Sequence, residues 1–91
     1  MGLETVLARL RTYVQDSFLY MRPGFAVGDD ESLFDKGVID SMGVVELIGF
    51  LESEFSVAVR DEDVSEQHLG SLSSIARYVV ARRGNGGGNG R

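Results

Sequence analysis

Apolar residues recur at Leu3, Val6, Leu7, Leu10, Val14 and Phe18, three or four positions apart, while Arg9, Arg11, Gln15 and Asp16 fall largely off that line. The spacing predicts an amphipathic helix over 3–20, about five turns at 3.6 residues per turn. Pro23 and Gly24 stop it: proline disfavours helical geometry in the residue before it, and glycine tolerates left-handed conformations. A second stripe, Val44, Val45, Leu47, Ile48, Leu51 and Phe55, predicts a helix over 41–55 with Glu46, Glu52, Ser53 and Glu54 on its polar side. Asp40 is suited to cap that helix, since its carboxylate can accept from first-turn amides at the positive end of the helix dipole, and Ser41 becomes the first helical residue. Gly43 and Gly49 each weaken the helix by about 1 kcal/mol relative to alanine, which points to close approach by either the bundle or a partner.

Residues 23–40 form a long connection containing Gly24, Gly28, Gly37 and the triplet Asp29-Asp30-Glu31. Leu33 and Phe34 are expected to tuck into the core and pin it, through a short helical turn opening at Ser32. The alternation over Phe25–Gly28 is too brief to define a strand. Ser56–Arg60 alternates as well but has no partner strand, so it reads as an extended linker with Val57 and Val59 inward. Asp61–Glu66 predicts one or two helical turns opened by acids and broken by Gly70. Ser71 or Ser73 then caps a last helix with the stripe Leu72, Ile75, Ala76, Val79 and Val80, and with Arg82 and Arg83 at its C-terminal end. The expected fold is all-α, a small four-helix bundle of three longer helices and one short one with a long first loop, over 1–83. The Gly/Asn-rich stretch 84–91 has no apolar side chain and is expected to be a disordered tail.

Charge sharpens this picture. Between Gly24 and Glu66 there are twelve acids against two bases, whereas residues 67–91 carry four arginines and no acid. An acidic middle repels phosphate backbones and steers basic protein surfaces toward the centre of the chain, so nucleic acid is excluded as the expected partner. With no cysteine and one histidine, His68, the sequence offers neither a disulfide framework nor a zinc set, and the acids lack the spacing of a calcium loop. No metal is expected. No run approaches membrane-spanning length, and the lack of cysteine fits a cytoplasmic setting; the expected state is a monomer.

Candidate chemistry concentrates at Ser41, placed where a Gly- and Asp-rich loop gives way to a helix. A hydrolytic serine needs a base in reach and an oxyanion hole, usually on a Gly-x-Ser-x-Gly elbow. Ser41 is preceded by Ile39-Asp40 and followed by Met42-Gly43, and the only histidine lies in a distant linker. No enzymatic activity is therefore expected. A serine at a helix start can also be a passive attachment point, or, in a helical module that binds a basic protein through its acidic face, no more than part of a cap.

Asp40-Ser41-Met42, preceded by Gly37-Val38-Ile39 and followed by Val45-Glu46-Leu47, with Glu52-Ser53-Glu54-Phe55 two turns on, resembles the acyl and peptidyl carrier proteins. The likeness extends over residues 3–83. It implies a carrier whose Ser41 receives 4'-phosphopantetheine from coenzyme A through a phosphopantetheinyl transferase, with acyl or aminoacyl groups held as thioesters on the terminal thiol. It further implies that Asp40, Met42, Val45, Glu46 and Glu52 meet partners: the transferase, an acyl- or aminoacyl-loading ligase, and downstream transferases with basic docking faces. Met42 and Gly43 replace the leucine and the acid usual in fatty-acid carriers. The form Ile39-Asp40-Ser41-Met42-Gly43-Val44-Val45 is more similar to D-alanyl and other aminoacyl carriers, although polyketide and peptide-synthetase carriers also accept methionine there.

Overall fold

The computed structural model describes residues 2–19 and 27–86. It contains α1 (Leu3–Phe18), α2 (Ser41–Phe55), a single 3-10 turn at Asp61–Asp63, α3 (Glu66–Leu69) and α4 (Leu72–Gly86). No strand occurs among the described residues. The four-helix bundle expected from periodicity is the observed fold. On α1 the periodic positions Val6, Leu10 and Val14 are buried, and they meet Leu72, Ile75, Ala76 and Val79 of α4 in the most extensive helix pairing of the bundle. Helix α1 ends two residues before the expected Tyr20. The Leu19 amide donates to Val14 O at 3.1 Å from a non-helical backbone, which turns the Leu19 side chain into the core. The Pro23–Gly24 stop and most of the Phe25–Gly28 segment lie outside the described residues.

The loop leading to α2 is held by Leu33. Its side chain is fully buried, its amide donates to Gly70 O at 2.7 Å, and its carbonyl accepts from both Val38 N at 2.9 Å and Ile39 N at 3.2 Å. The expected turn at Ser32 is present: Ser32 Oγ accepts from Asp35 N at 3.1 Å, and Ser32 O accepts from Lys36 N. Val38 and Ile39 are buried in turn, so the chain arrives at Asp40 with little freedom left. Asp40 Oδ1 accepts from Gly43 N at 2.8 Å and caps α2, whose first residue is Ser41.

The other end of α2 is fixed from a distance. Arg83 Nη1 donates to Phe55 O, the last carbonyl of α2, and Arg82 Nε donates to Ala58 O at 3.0 Å. Sequence placed these arginines at the end of their own helix; their guanidinium groups instead satisfy carbonyls at and beyond the C-terminus of α2, which the helix cannot pair internally. The acidic stretch after the linker divides into the 3-10 turn and α3, because Val64 leaves helical geometry and Ser65 starts a new cap, accepting from His68 N at 3.4 Å. Of the two serines offered as caps for α4, Ser71 fills the role, its Oγ accepting from Ser74 N at 3.1 Å. Helix α4 runs to Gly86, into the stretch whose composition predicts a tail; residues 87–91 lie outside the described residues.

The structure separates the glycines. A Cβ on Gly43 would come within 2.9 Å of the Phe18 ring, so this glycine admits α1 against the start of α2. A Cβ on Gly70 would lie 2.3 Å from Glu66 O, a backbone atom that cannot swing aside. A Cβ on Gly49 would meet nothing within 4 Å. Replacing Gly49 by alanine is therefore expected to stabilise the fold by about 1 kcal/mol through helix propensity, a rise of about 4–8 °C in thermal midpoint for a domain of this size. Gly70→Ala is expected to lower stability by about 1–3 kcal/mol through overpacking. Thermal denaturation followed by circular dichroism distinguishes the two signs.

The cap gives a second expectation. Asp40→Ala removes the acceptor for Gly43 N and should cost about 1 kcal/mol, whereas Asp40→Asn keeps an oxygen there and should stay within a few tenths of the unaltered chain; urea denaturation at neutral pH measures both.

A third concerns Tyr78, whose buried phenol donates to Asp63 Oδ2 at 2.7 Å and accepts from Arg60 N at 3.4 Å, joining the 3-10 turn to α4. Burial first, and the hydrogen bond to Asp63 second, raise its pKa above the ordinary value of 10.0. The unfolded chain therefore loses this proton at lower pH than the folded one, so the contribution is whole below pH 10 and declines as pH rises past it. Tyr78→Phe should cost about 1 kcal/mol at pH 8 and show a shallower loss of stability above about pH 10 when denaturation is repeated across that range.

Candidate functional site

Ser41 is exposed as the opening residue of α2, and its hydroxyl makes no hydrogen bond within the described residues. Asp40 is exposed beside it and is occupied by the cap rather than by the serine. At 3.6 residues per turn, Ser41, Val45 and Glu52 align along one side of α2, with Met42 and Gly49 on the adjacent line. Leu47, Leu51 and Phe55 form the opposite, buried side. Met42 and Val45 are large apolar residues left 78% and 69% exposed next to Ser41. No packing requirement of the bundle accounts for that exposure, and an apolar cluster around a reactive hydroxyl is what a docking face needs.

The acids expected to meet partners separate in space. Glu46 is exposed on the side of α2 toward α1, close enough to Tyr13 that its charge, after burial of the ring, adds to the raised pKa of that phenol. Tyr13 itself stacks on Phe50 with centroids 3.8 Å apart, so the α1–α2 seam lies immediately below Glu46. Glu52 is about 16 Å along the helix axis from Ser41, from a rise of 1.5 Å per residue. Its Oε2 accepts from Val59 N at 3.0 Å, which ties the extended linker to α2. Glu52 is thus exposed and structural at once, a role that the sequence did not reveal.

A groove of about 430 Å³ opens directly beside Ser41. Phe34, Val44, Val64 and Leu69 give it apolar walls, and Ser41, Ser65 and Glu66 its polar edge. Its far wall, contributed by α3 and the Val64-Ser65 junction that precedes it, was not anticipated. The one signal for it was Val64, an apolar residue amid acids, which the structure leaves partly exposed.

Hydrolytic chemistry has no support in this arrangement. His68 lines a separate depression with Gln67, Ser74, Arg77, Tyr78 and Ala81, and its Nε2 lies 3.9 Å from Asp63 Oδ1. No group of three or more His, Cys, Asp or Glu that could hold a metal occurs among the described residues. Among the same residues, no helix is long and apolar enough to cross a membrane. What the site provides is an exposed, unengaged hydroxyl on a capped helix start, where the helix dipole favours a phosphate ester. Beside it lies a groove with room for a flexible arm. A covalently attached phosphopantetheine group fits these features.

Comparison with known proteins agrees with this geometry. The family model described as "Phosphopantetheine attachment site" matches residues 8–79. The D-alanyl carrier protein of Streptococcus suis is 45% identical over 51 residues, which are 56% of this chain and 65% of that protein. The D-alanyl carrier protein of Streptococcus thermophilus is 43% identical over 54 residues, 59% of this chain and 68% of that protein. The chain thus spans about two thirds of the length of these relatives. Since the family match covers most of the sequence, the chain belongs to the phosphopantetheine attachment site family.

Proposed function

We propose that Ser41 is the attachment residue and that the chain carries aminoacyl groups as thioesters between a loading ligase and downstream transferases. The observation that carries this reading is the state of Ser41, exposed at the start of α2 with an unengaged hydroxyl, within the span of the family match. Three other serines of that span have assigned work: Ser32 donates to Glu66 Oε2 at 2.9 Å, Ser65 caps α3, and Ser71 caps α4 and donates to Ser74 Oγ. The bound arm supplies a thiol on which a carboxylic acid is held in activated form. The protein's part is to present the anchor rigidly, which the Asp40 cap and the buried Val38-Ile39 pair do. It must also dock several partners in turn. Met42 and Val45 offer an apolar contact at the anchor, and the exposed Glu46 and, farther along α2, Glu52 favour basic enzymes. The aminoacyl class is favoured over fatty acyl groups by the similarity to D-alanyl carrier proteins, and D-alanine is the cargo those relatives' names give.

Incubation of the chain with coenzyme A and a phosphopantetheinyl transferase is expected to add the mass of one phosphopantetheinyl group, mapped to Ser41, and none in Ser41→Ala. A gain that persists in Ser41→Ala, or no gain with any of several transferases, overturns the assignment. Loading of the modified chain by a D-alanine-activating ligase in the presence of ATP then tests the cargo, through a hydroxylamine-labile mass increase of one alanyl group.

A further inference from the structure

The carboxylate of Asp63 is a junction for three side chains, and its two oxygens do different work. Oδ2 accepts from the Tyr78 phenol at 2.7 Å and lies 3.7 Å from Arg60 Nε, which fixes the 3-10 turn to α4 and to the linker before it. Oδ1 faces His68, whose Nε2 is 3.9 Å away, and meets no other partner among the described residues. At that distance a neutral imidazole makes no hydrogen bond, whereas a protonated one makes an ion pair. Between Asp63 and His68 lie Val64, Ser65, Glu66 and Gln67, and the first three of these line the groove beside Ser41. Helix α3 is only 4 residues long, too short to be stable alone, and its cap is a long one, with Ser65 Oγ accepting from His68 N at 3.4 Å. A single charge pair therefore carries weight there.

We propose that protonation of His68 clamps α3 onto the 3-10 turn through Asp63 Oδ1, and that this clamp sets the far wall of the Ser41 groove. Histidine is the side chain whose charge ordinarily changes between pH 5 and 8, so the wall responds to pH in that range. The charges facing the ring come from each element around it. Asp63 favours the cation; Arg60, which also pairs with Glu62, and Arg77, which lines the depression that holds His68, oppose it. Tyr78 lies against the ring with centroids 5.3 Å apart and keeps its own proton throughout, since its pKa is raised above 10.0 by burial first and by Asp63 second. On α3 itself, Glu66 is exposed and occupied at the groove edge, its Oε2 accepting from Ser32 Oγ at 2.9 Å. When His68 is neutral, Tyr78 and Arg60 still hold Asp63, so the release is confined to Val64, Ser65 and α3. The consequence for a phosphopantetheine arm in the groove rests on Ser41 being the attachment residue; the clamp itself does not.

Proton–nitrogen correlation spectra of the unmodified chain from pH 5 to 8, with the His68 ring protons as internal indicator, decide the matter. The Val64 and Ser65 amide shifts are expected to follow the ring protons with the same midpoint. The Val64 methyl groups should gain motion as the proton is lost, the released population rising about two- to fivefold, the range a half-exposed ion pair supports. Asp63→Asn keeps an acceptor for Tyr78 and removes the charge; His68→Gln, at a half-exposed position, removes the titration without opening the core. In both variants the Val64 and Ser65 shifts are expected to lose their midpoint. Shifts that stay flat in the unaltered chain overturn the clamp, as do shifts that persist in His68→Gln. Shifts of full size in Asp63→Asn overturn it too, because they report only the electric field of the ring charge. None of these results bears on attachment at Ser41, which the mass gain with coenzyme A decides separately.

Discussion

The position of the site depends on one residue that is not part of it. Leu33 joins the first loop to the α3–α4 corner through its amide and to the segment entering α2 through its carbonyl, while its side chain fills the core between them. A carbonyl that accepts two successive amides, Val38 N and Ile39 N, draws the backbone into a tight return, and burial of both side chains makes that return costly to undo. Gly70 is the complement of this arrangement, since the carbonyl that receives the Leu33 amide belongs to a residue where any side chain would collide with Glu66. An anchor residue on a long loop would ordinarily be mobile. Here the loop's last residues are as constrained as a helix.

The same logic holds α2 at its other end. The helix finishes with Ser56 in the left-handed conformation, φ 57° and ψ 43°, a geometry usually reserved for glycine. Arg83 and Arg82 place guanidinium groups on Phe55 O and Ala58 O across that corner, so the carbonyls freed by the turn are matched by charged donors, which make stronger hydrogen bonds than neutral ones. Tyr78 extends the arrangement by fixing the 3-10 turn through Asp63. Helix α4 therefore acts as a spine: one face buries Leu72, Ile75, Ala76 and Val79, and its polar side chains determine where α2 ends and where the wall of the Ser41 groove begins.

How much of this the sequence carried follows from the range of each interaction. The boundaries of α2, the Asp40 cap and the exposed position of Ser41 were legible because they depend on contacts three or four residues apart, which a linear pattern records. The end of α1, the division of the acidic stretch at Val64 and the choice of Ser71 over Ser73 turn on single hydrogen bonds that several neighbouring residues could have made. The partners of Arg82, Arg83 and Glu52, and the opposite reasons behind Gly43 and Gly49, were not legible at all. Each depends on which chain segment lies opposite, and a glycine reads the same whether it admits a ring or opens onto solvent.

The surface around Ser41 shows how a small domain can serve several partners without binding any of them for long. Met42 and Val45 expose apolar area, yet only a small patch of it, next to the Ser41 groove and on a chain whose middle is acidic. Long-range attraction between the acidic middle of the chain and a basic enzyme raises the rate of encounter, while residence time depends chiefly on the short-range contact that the patch provides. A larger apolar face would slow release and invite self-association; a wholly charged one would give encounter without register. On the proposed reading, the separation of these two functions is what a carrier requires: charge spread broadly over the chain for rapid approach, and a few apolar atoms beside the anchor, on a helix fixed at both ends, to decide how the partner sits.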